Sequence, residues 1–466
     1  MHQLPIGRDL GPRTTAPTRR VTAAWLMRGC AALVALACLP GSAVRADDWS
    51  QFRGGRALGH ASGPKPPVAF DGKQLAWRTV IPGAGWSQPV IAGGRLYLTT
   101  AVVPKGRRPK GSGGAMDLST LGRPSIPSDP VEWRVLCLDP GNGHVVWDKL
   151  VVEQKPKYGT HASNTYATET PCATADGVIA FFGATGTLVA LDRDGAERWR
   201  REFGPQSIQN QFGTGSSPVL AGDRLVVQLY NDDTAKLLCI DALTGTDRWV
   251  ASRDKGTSWA TPVIWDNKGT AEVVAAGQGM IVGYGLADGL ERWRYGGLDT
   301  SFACSVVADD EAVYFGTSSP GSSAPAAAIA AGHTGDLSLP KGEKASSAVW
   351  WSRTKSGAGM PSPVVVGDHL YFFGSTAVCF DKRTGTEKFR KRMPGGTQAV
   401  GCPVVVDDTI YVLNEAGKAL AFKAGAEYEL LGESTAGSDD EVWWSTPAVA
   451  DGALFIRSSD AISCIR

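Results

Sequence analysis

Ten aromatic, polar or acidic residues stand shortly ahead of a recurring Ser/Thr-x-Pro-Val segment, and they are the chain's candidates for binding chemistry. They are Trp86, His161, Asn164, Tyr166, Glu169, Phe212, Trp259, Met360, Trp443 and Trp444. Aromatic faces combined with a few polar groups suit a planar ligand, a sugar or a peptide segment. The alternative is that these side chains only fill the space around them.

Catalytic and metal-binding patterns do not accompany these candidates. His161 is a candidate base, but the sequence places no nucleophile or metal ligand in an evident relation to it. The Ser-His-Asp order, His-Glu-x-x-His and phosphate loops do not occur in the context that such motifs require. The sequence therefore predicts no catalytic residue and no metal site, and an enzyme is the less favoured class.

The candidate residues are positioned by a sequence repeat that runs through the chain. The Ser/Thr-x-Pro-Val segment and its variants occur eight times, each before a turn and an apolar strand, at residues 87–90, 170–172, 217–219, 261–263, 304–307, 362–364, 402–404 and 446–448. A second half-motif is a strand ending in Asp, a Gly turn and a strand with Trp, as in Asp241, Gly245 and Trp249. The Asp carboxylate caps the bend, and Gly supplies the positive φ that closes a hairpin.

The repeat predicts an all-β fold, an eight-bladed β-propeller. Each unit has about four short strands in roughly 40–47 residues, which is the period of a propeller blade. The last unit stops before any Trp strand, whereas Trp77 lies on a strand without a front half. We therefore expect residues 75–80 to complete the last blade and close the ring. The propeller then spans residues 75–466, with surface insertions at about 101–130 and 317–347 and an arm at 47–74.

The cysteine and tryptophan series fit structural packing. Cys137, Cys239, Cys379 and Cys464 share one repeat position with Ala190, so this position takes a small apolar side chain. Equivalent strands of different blades lie too far apart for disulfides. The repeated Trp residues are expected to pack between neighbouring blades.

The first 46 residues have the pattern of a signal peptide. Five arginines precede a short apolar run at residues 30–39, and small residues follow a Pro-Gly break. This run is too short to span a bilayer. Residues 35–38 resemble an imperfect lipobox, which leaves lipidation at Cys38 open. The sequence also leaves open the choice between the general and twin-arginine export routes. The formal charge of +1 gives no sign of nucleic-acid binding.

The tandem units resemble pyrroloquinoline-quinone-like (PQQ) repeats. The opening Trp49-Ser50-Gln51-Phe52-Arg53-Gly54 resembles the Trp-x-x-Phe-Arg-Gly start of exported propellers of the planctomycete type. The resemblance covers about residues 49–466. It implies a quinoprotein-dehydrogenase-like propeller fold but not an activity, because the family includes quinoprotein dehydrogenases as well as non-catalytic, BamB-like propellers.

The resemblance leaves three functions to compare. Quinoprotein dehydrogenases of this kind hold the quinone with Ca²⁺ and usually have two adjacent cysteines beside it, and this chain has no adjacent cysteines and no Cys-x-x-Cys-His haem motif. We therefore expect no cofactor and a monomeric binding or scaffold module for a protein or envelope component, in the periplasm or at the outer membrane. The alternatives are a PQQ-dependent oxidoreductase with an atypical site and a carbohydrate-binding propeller.

Overall fold

A computed structural model describes residues 48–104, 109–111, 126–317, 322–355, 359–396, 398–438 and 440–466. These residues form eight antiparallel sheets of four strands, and two of the sheets carry a fifth, short parallel strand. Each sheet is one blade of a β-propeller. The predicted fold class is confirmed.

The strands follow one another in the chain order of the blades. Blades one to four are Val90–Ala92, Arg95–Val102, Val131–Leu138 and Val145–Gln154; Cys172–Thr174, Gly177–Phe182, Thr187–Asp192 and Glu197–Glu202; Val219–Ala221, Arg224–Tyr230, Ala235–Asp241 and Asp247–Ser252; and Val263–Asn267, Thr270–Gly277, Met280–Gly285 and Glu291–Tyr295 with Gly335–Asp336. Blades five to eight are Val307–Ala308, Ala312–Gly316, Ala326–Ala330 and Val349–Arg353; Val364–Val366, His369–Phe373, Thr376–Asp381 and Glu387–Arg392; Val404–Val406, Thr409–Leu413, Lys418–Lys423 and Glu429–Thr435 with His60–Ala61; and Ala448–Ala450, Ala453–Arg457 and Ala461–Ile465 with Leu75–Val80.

The first strand of each blade is the innermost. First strands of neighbouring blades contact one another, whereas the last strands carry many exposed residues. The two middle strands are almost entirely buried, as in Arg224–Tyr230, because both of their faces pack against adjacent blades. The hydrophobic core therefore lies between the blades rather than inside any one of them.

A circle of hydrogen bonds joins the innermost strands, and it explains the Ser/Thr of the motif. At seven junctions, the main-chain N–H of the residue before the Pro position donates to the side chain of the corresponding residue in the next blade, over 2.9–3.3 Å. The circle runs through Gln88, Thr170, Ser217, Thr261, Ser305, Ser362, Cys402 and Thr446. At the junction of blades eight and one, Ser445 Oγ and Arg457 Nη1 instead donate to the carbonyl of Ser87 at 3.0 and 3.1 Å.

The ring is closed by the N-terminal strand, as predicted. Leu75–Val80 pairs antiparallel with Ala461–Ile465, and Trp77 lies opposite Cys464. This pairing completes the fourth strand of blade eight and covers its edge, which would otherwise be open to another chain.

The repeated Trp residues lie between blades. Trp77, Trp147, Trp199, Trp249 and Trp351 each donate Nε1–H to a main-chain carbonyl in the Asp-Gly turn of the next blade, at 2.9–3.0 Å. Opposite this Trp position on the third strand stand small residues next to a shift in register, namely Cys137, Ala190, Cys239, Gly283, Ala328, Cys379, Ala421 and Cys464. The shared cysteine position is therefore a packing position beside a β-bulge, as its alternation with alanine indicates.

Blade four contacts the next blade through a different tryptophan and at a different turn, the one between the first two strands of blade five. Trp293 donates to the buried Glu272 carboxylate of its own blade at 2.7 Å, and Trp265 donates to Asp309 O of blade five at 2.7 Å. A carboxylate is a stronger acceptor than a carbonyl. The side chain at the usual Trp position is therefore held within its own sheet.

Blade seven has Gly432 at the usual Trp position, and a segment of the arm fills the space that a tryptophan ring would occupy. Residues 64–70 lie along the junction of blades seven and eight, where Pro66 O accepts a hydrogen bond from Tyr411 Oη at 2.6 Å. A Cβ at Gly432 would lie 2.2 Å from Val68 O, so only glycine allows this close approach.

The predicted insertion at 317–347 contains part of a blade, which corrects the sequence-based boundary. Ala326–Ala330 is the third strand of blade five, pairing with Ala312–Gly316 and Val349–Arg353. A run of alanines lacks the β-branched and aromatic residues that mark a strand in sequence, but small side chains fit a buried middle strand. Most of the insertion at 101–130 and the whole signal-peptide segment at 1–46 lie outside the described residues. None of the described residues forms a helix long and apolar enough to cross a membrane.

Candidate functional site

The segments that precede the innermost strands form one end of the central channel, which we call the mouth. Trp444 of blade eight and Trp86 of blade one lie side by side there, with ring centroids 6.0 Å apart and planes tilted by 30°. Trp86 Nε1 donates to Ser163 O at 2.9 Å, and Trp444 Nε1 donates to Glu415 Oε2 at 3.2 Å. The aromatic pair is thus fixed by contacts to blades two and seven.

A second aromatic group continues the mouth over blades two to four. The Phe212 ring lies 5.3 Å from the His161 ring and 6.4 Å from the Trp259 ring, stacked with the latter at 30°. His161 Nδ1 is 2.6 Å from Ser163 Oγ, and Trp259 Nε1 donates to Gly213 O at 2.7 Å. All three side chains are half-buried, so part of each ring faces solvent.

Asn164 holds the turn on which the second group stands. Its amide Nδ2 donates to Phe212 O at 2.8 Å, and its Oδ1 accepts from Thr168 Oγ1 at 2.6 Å. Both ends of this amide are therefore used inside the protein. Asn164 positions Phe212 rather than offering free groups to a ligand.

Glu169 lies beneath the mouth and is 1% exposed. Its Oε1 accepts from Gly183 N at 3.2 Å. Burial raises the pKa of Glu169 to about 7, and hydrogen bonds from Thr214 and neighbouring main-chain groups offset this rise only in part. The carboxyl group therefore exchanges its proton close to neutral pH.

The other three candidates are not on the open surface of the mouth. Trp443 is fully buried between blades seven and eight, and Tyr166 is buried with its ring 6.0 Å from Trp133. Both belong to the core, because successive residues of an extended segment point to opposite sides and only Trp444 faces the mouth. Met360 is half-buried ahead of blade six, and none of the described contacts joins it to either aromatic group.

The first insertion reaches over the mouth. Lys110 N donates to Ala162 O at 3.0 Å, and Gly111 lies near Glu415 on the far side of the Trp86–Trp444 pair. A small pocket opens beside the second group, with Tyr158, Gln206 and Thr214 among its lining residues. The mouth is therefore a partly covered aromatic surface rather than an open funnel.

Sequence reasoning missed the residues that fix the aromatic rings. Ser163 and Glu415 accept the hydrogen bonds of Trp86 and Trp444. Arg457 is 1% exposed, and its Nη1 bonds to both Ser87 Oγ and Ser87 O directly after Trp86. Of these, only a charged residue at the end of an apolar strand, as in Arg457, gave a signal in the sequence.

The mouth does not match the requirements of a calcium-bound quinone. Ca²⁺ takes six to eight oxygen ligands, several of them carboxylates. Among the described residues, no three His, Cys, Asp or Glu side chains come together in a way that could hold a metal ion. The Asn164 amide is already hydrogen-bonded at both ends, and Glu169 is buried with a raised pKa. We therefore derive no chemical step through such a cofactor.

Comparison with known proteins gives one family match and several similar folds. The sequence pattern of the family described as "Outer membrane protein assembly factor BamB" matches residues 132–321 and 331–427. No curated protein matches the chain.

Three solved structures illustrate the structural likeness. A europium-containing methanol dehydrogenase has a TM-score of 0.57 at 10% identity over 88% of this chain and 89% of that one. BamB from Moraxella catarrhalis has a TM-score of 0.37 at 13% identity over 84% and 85%. Quinohemoprotein alcohol dehydrogenase from Comamonas testosteroni has 0.47 at 13% identity over 91% and 81%. At these identities the likeness shows the fold alone.

Proposed function

Since the chain belongs to the family described as outer membrane protein assembly factor BamB, we propose that it is an exported, non-catalytic binding module. Its mouth holds a segment of a partner protein or an envelope component. The aromatic mouth carries the proposal, because Trp444, Phe212 and Trp259 are only half-buried there, and the buried Trp86 supports Trp444 from the next blade. The sequence resemblance to PQQ-like repeats is confirmed by the family match, whereas the role of the mouth is our proposal.

The chemistry of the mouth favours a peptide segment as ligand. Fixed aromatic rings bury much apolar area and lose little side-chain entropy on binding, which is why such residues dominate protein interfaces. The rings are held by main-chain carbonyls and buried carboxylates, so they are preorganised before a ligand arrives.

The proposal includes the location and the oligomeric state. A chain exported by its N-terminal segment would act in the periplasm or at the periplasmic face of the outer membrane. Anchoring through Cys38 and the export route concern residues outside the described part of the chain. A closed ring leaves no blade incomplete, so its remaining edges are the short outermost strands, and we propose a monomer.

Site-specific crosslinking tests the mouth directly. Phe212→p-benzoylphenylalanine places a photoreactive aromatic group at the centre of the second group, in the full-length protein expressed in the source cells. We expect a crosslinked polypeptide after irradiation. Leu243→p-benzoylphenylalanine is the matched control, because Leu243 is 69% exposed in a turn of blade three, at the outer side of the propeller.

A truncation series measures the contribution of the rings to affinity for the crosslinked partner. Trp444→Ala and Trp259→Ala are each expected to weaken binding by about 2 kcal/mol, which is about thirty-fold in Kd at 25 °C. Leu243→Ala should leave Kd unchanged. Crosslinks that are the same at positions 212 and 243, or crosslinks to glycan alone, would contradict the proposed peptide ligand.

A further inference from the structure

Residues 49–61 of the arm lie across the channel at the end opposite the mouth, which we call the floor. Main-chain oxygens of Trp49, Ser50 and Gly59 accept hydrogen bonds from Ile91, Ala173 and Val405, at 2.7–2.9 Å. These donors belong to the innermost strands of blades one, two and seven. His60–Ala61 adds a short parallel strand beside Val404–Val406. Between these contacts residues 51–59 form turns, with positive φ at Arg53 and Ala57. The arm is thus bound as a turn-rich segment whose two ends pair with strand edges that face the axis.

Arg53 inserts its side chain into the axis from this peptide. It is 0% exposed, and its Nη2 donates to Pro363 O of blade six and to Leu58 O at 3.1 Å. Its own N–H donates to Gln88 Oε1 of blade one at 2.7 Å. One residue therefore connects opposite sides of the ring.

Gln51 makes the same kind of contact over blades two and three. Its side-chain Oε1 accepts from Leu220 N at 2.6 Å, its Nε2 donates to Leu220 O at 3.3 Å, and Cys172 Sγ lies 3.7 Å from Oε1. Main-chain pairing supplies affinity in such complexes, whereas side chains in fitted positions supply specificity. Gln51 and Arg53 are the fitted polar side chains of the arm, and Trp49 adds a buried aromatic ring.

The Arg53 guanidinium has no carboxylate partner among the described residues. Its electrostatic neighbours are the thiols of Cys304 and Cys402, and Nε and Nη1 make no hydrogen bond. A buried cation of this kind is held by carbonyl dipoles alone, which is a weaker compensation than an ion pair. Between residues 49–61 and the segment 64–70 that lies along blades seven and eight, residues 62 and 63 are exposed. Residues 49–61 are therefore attached to the rest of the molecule by a short solvent-facing linker.

We propose that the floor is a binding site for an arginine-containing, turn-forming peptide and that residues 49–61 are its tethered, resident ligand. Arg53 is the anchor of this ligand. Displacement of the arm opens the channel at the floor without unfolding the blades. The inference is independent of the function proposed for the mouth, because the contacts lie at the other end of the innermost strands.

Buried thiols report on the arm. Cys172, Cys304 and Cys402 lie against the arm, whereas Cys137, Cys239, Cys379 and Cys464 lie between blades at the Trp-facing position. All seven are free and buried, and burial raises the pKa of Cys304 to about 12. Thiolates rather than thiols react with maleimides, so all seven should be slow in the folded protein.

Thiol labelling of Arg53→Ala in the full chain, read by mass spectrometry with N-ethylmaleimide, tests the anchor. We expect Cys172, Cys304 and Cys402 to react at least about tenfold faster than in the wild type, a change of about 1.4 kcal/mol in the opening equilibrium, and the other four thiols to stay slow. Arg56→Ala is the matched control, since Arg56 is an exposed arginine of the same arm. Equal rates in the two variants, or an equal rise at all seven thiols, would overturn the proposal.

A nicked protein tests the site without any anchor substitution. A protease site inserted at Gly63, in the exposed linker, allows cleavage of the folded full-length chain between residues 49–61 and the segment 64–70. A synthetic peptide of residues 48–61 is then expected to exchange with the cleaved arm and to protect the three floor thiols. The same peptide with Arg53→Ala should not do so. If the unmodified peptide does not exchange because the cleaved arm stays bound, the arm is an inseparable part of the fold. If the arm leaves and the peptide still does not bind, the floor is not a peptide site. Either result would overturn the proposal.

Discussion

The carboxyl group of Glu169 is buried and has almost no contact with water. Burial raises its pKa from an ordinary value of 4.5 to about 7. Between these two values the folded protein keeps a proton that the unfolded chain has released, so protonation stabilises the fold there. The carboxyl group therefore destabilises the protein fully above pH 7, and this penalty disappears as the pH falls towards 4.5.

We expect Glu169→Gln to raise the free energy of unfolding at pH 8 by about 2–3 kcal/mol, because the glutamine has no charge to desolvate. At pH 4.5 the variant and the wild type should be about equally stable. Urea unfolding at pH 4.5, 6 and 8 measures both effects. Glu427→Gln removes an exposed carboxylate and serves as control. A variant whose pH dependence matches the wild type would show that Glu169 is ionised in the folded state.

The identity of the ring-bearing residues at the mouth was predictable, but their orientation was not. Trp86, Trp259 and Trp444 lie at the mouth, and each stands four residues before an innermost strand, whereas Phe212 stands seven residues before one. Trp443 lies one residue away from Trp444 and is fully buried. Which of two adjacent tryptophans faces the channel depends on the packing of blades seven and eight, and no local pattern contains that information.

The Asp-Gly turn of each blade is the element that receives the Trp of the preceding blade. Gly289 has φ +70°, and a Cβ there would lie 2.5 Å from the Trp249 ring. Gly222, in an ordinary strand turn, has φ +61° and open space around it. Both glycines have a positive φ, but only Gly289 lies against a tryptophan ring.

Gly289→Ala is expected to lower the free energy of unfolding by about 3 kcal/mol, because it adds a steric clash with Trp249 to the cost of a left-handed alanine. Gly222→Ala should lower it by about 1 kcal/mol, from the backbone term alone. Chemical denaturation of the two variants measures the difference. Equal losses would mean that the Trp ring moves away freely and contributes no rigid contact.

At the level of strands, the sequence predicted the features that recur in every blade and missed the features that belong to a single blade. The Pro-Val segment, the Gly turn and the Trp strand each follow from local residue chemistry. The strand Ala326–Ala330 was hidden because alanine carries no β signal. The exchange of Trp293 for Trp265 depends on Glu272, a residue from a different strand of the blade.

The whole molecule depends on contacts between the two ends of the chain. Closure by Leu75–Val80 was predictable because the first and last units are complementary fragments of one blade. The path of residues 49–61 was not, since it is set by blades one, two, three, six and seven together. Contacts between distant segments leave no periodic trace in a sequence.

Deletion of residues 48–80 should expose the edge of Ala461–Ile465 and produce dimers or larger species. The midpoint of thermal unfolding is expected to fall by about 3–6 °C, which corresponds to a loss of about 3–5 kcal/mol in a chain of this size. Light scattering and calorimetry measure the two changes. Deletion of residues 48–62 keeps the closing strand and should remain monomeric. A monomer with an unchanged midpoint after the longer deletion would contradict closure by this strand.

The hydrogen bonds around the axis all have the same direction. A main-chain N–H of one blade donates to a side chain of the motif in the next blade. The only junction built differently, at Ser87 and Arg457, is the one where the chain begins and ends. If the two ends were joined and the chain were cut instead at an exposed turn such as Gly222, the same circle would form from a new starting point. Circular permutants of this propeller should therefore fold, each with the differently built junction still between blades eight and one.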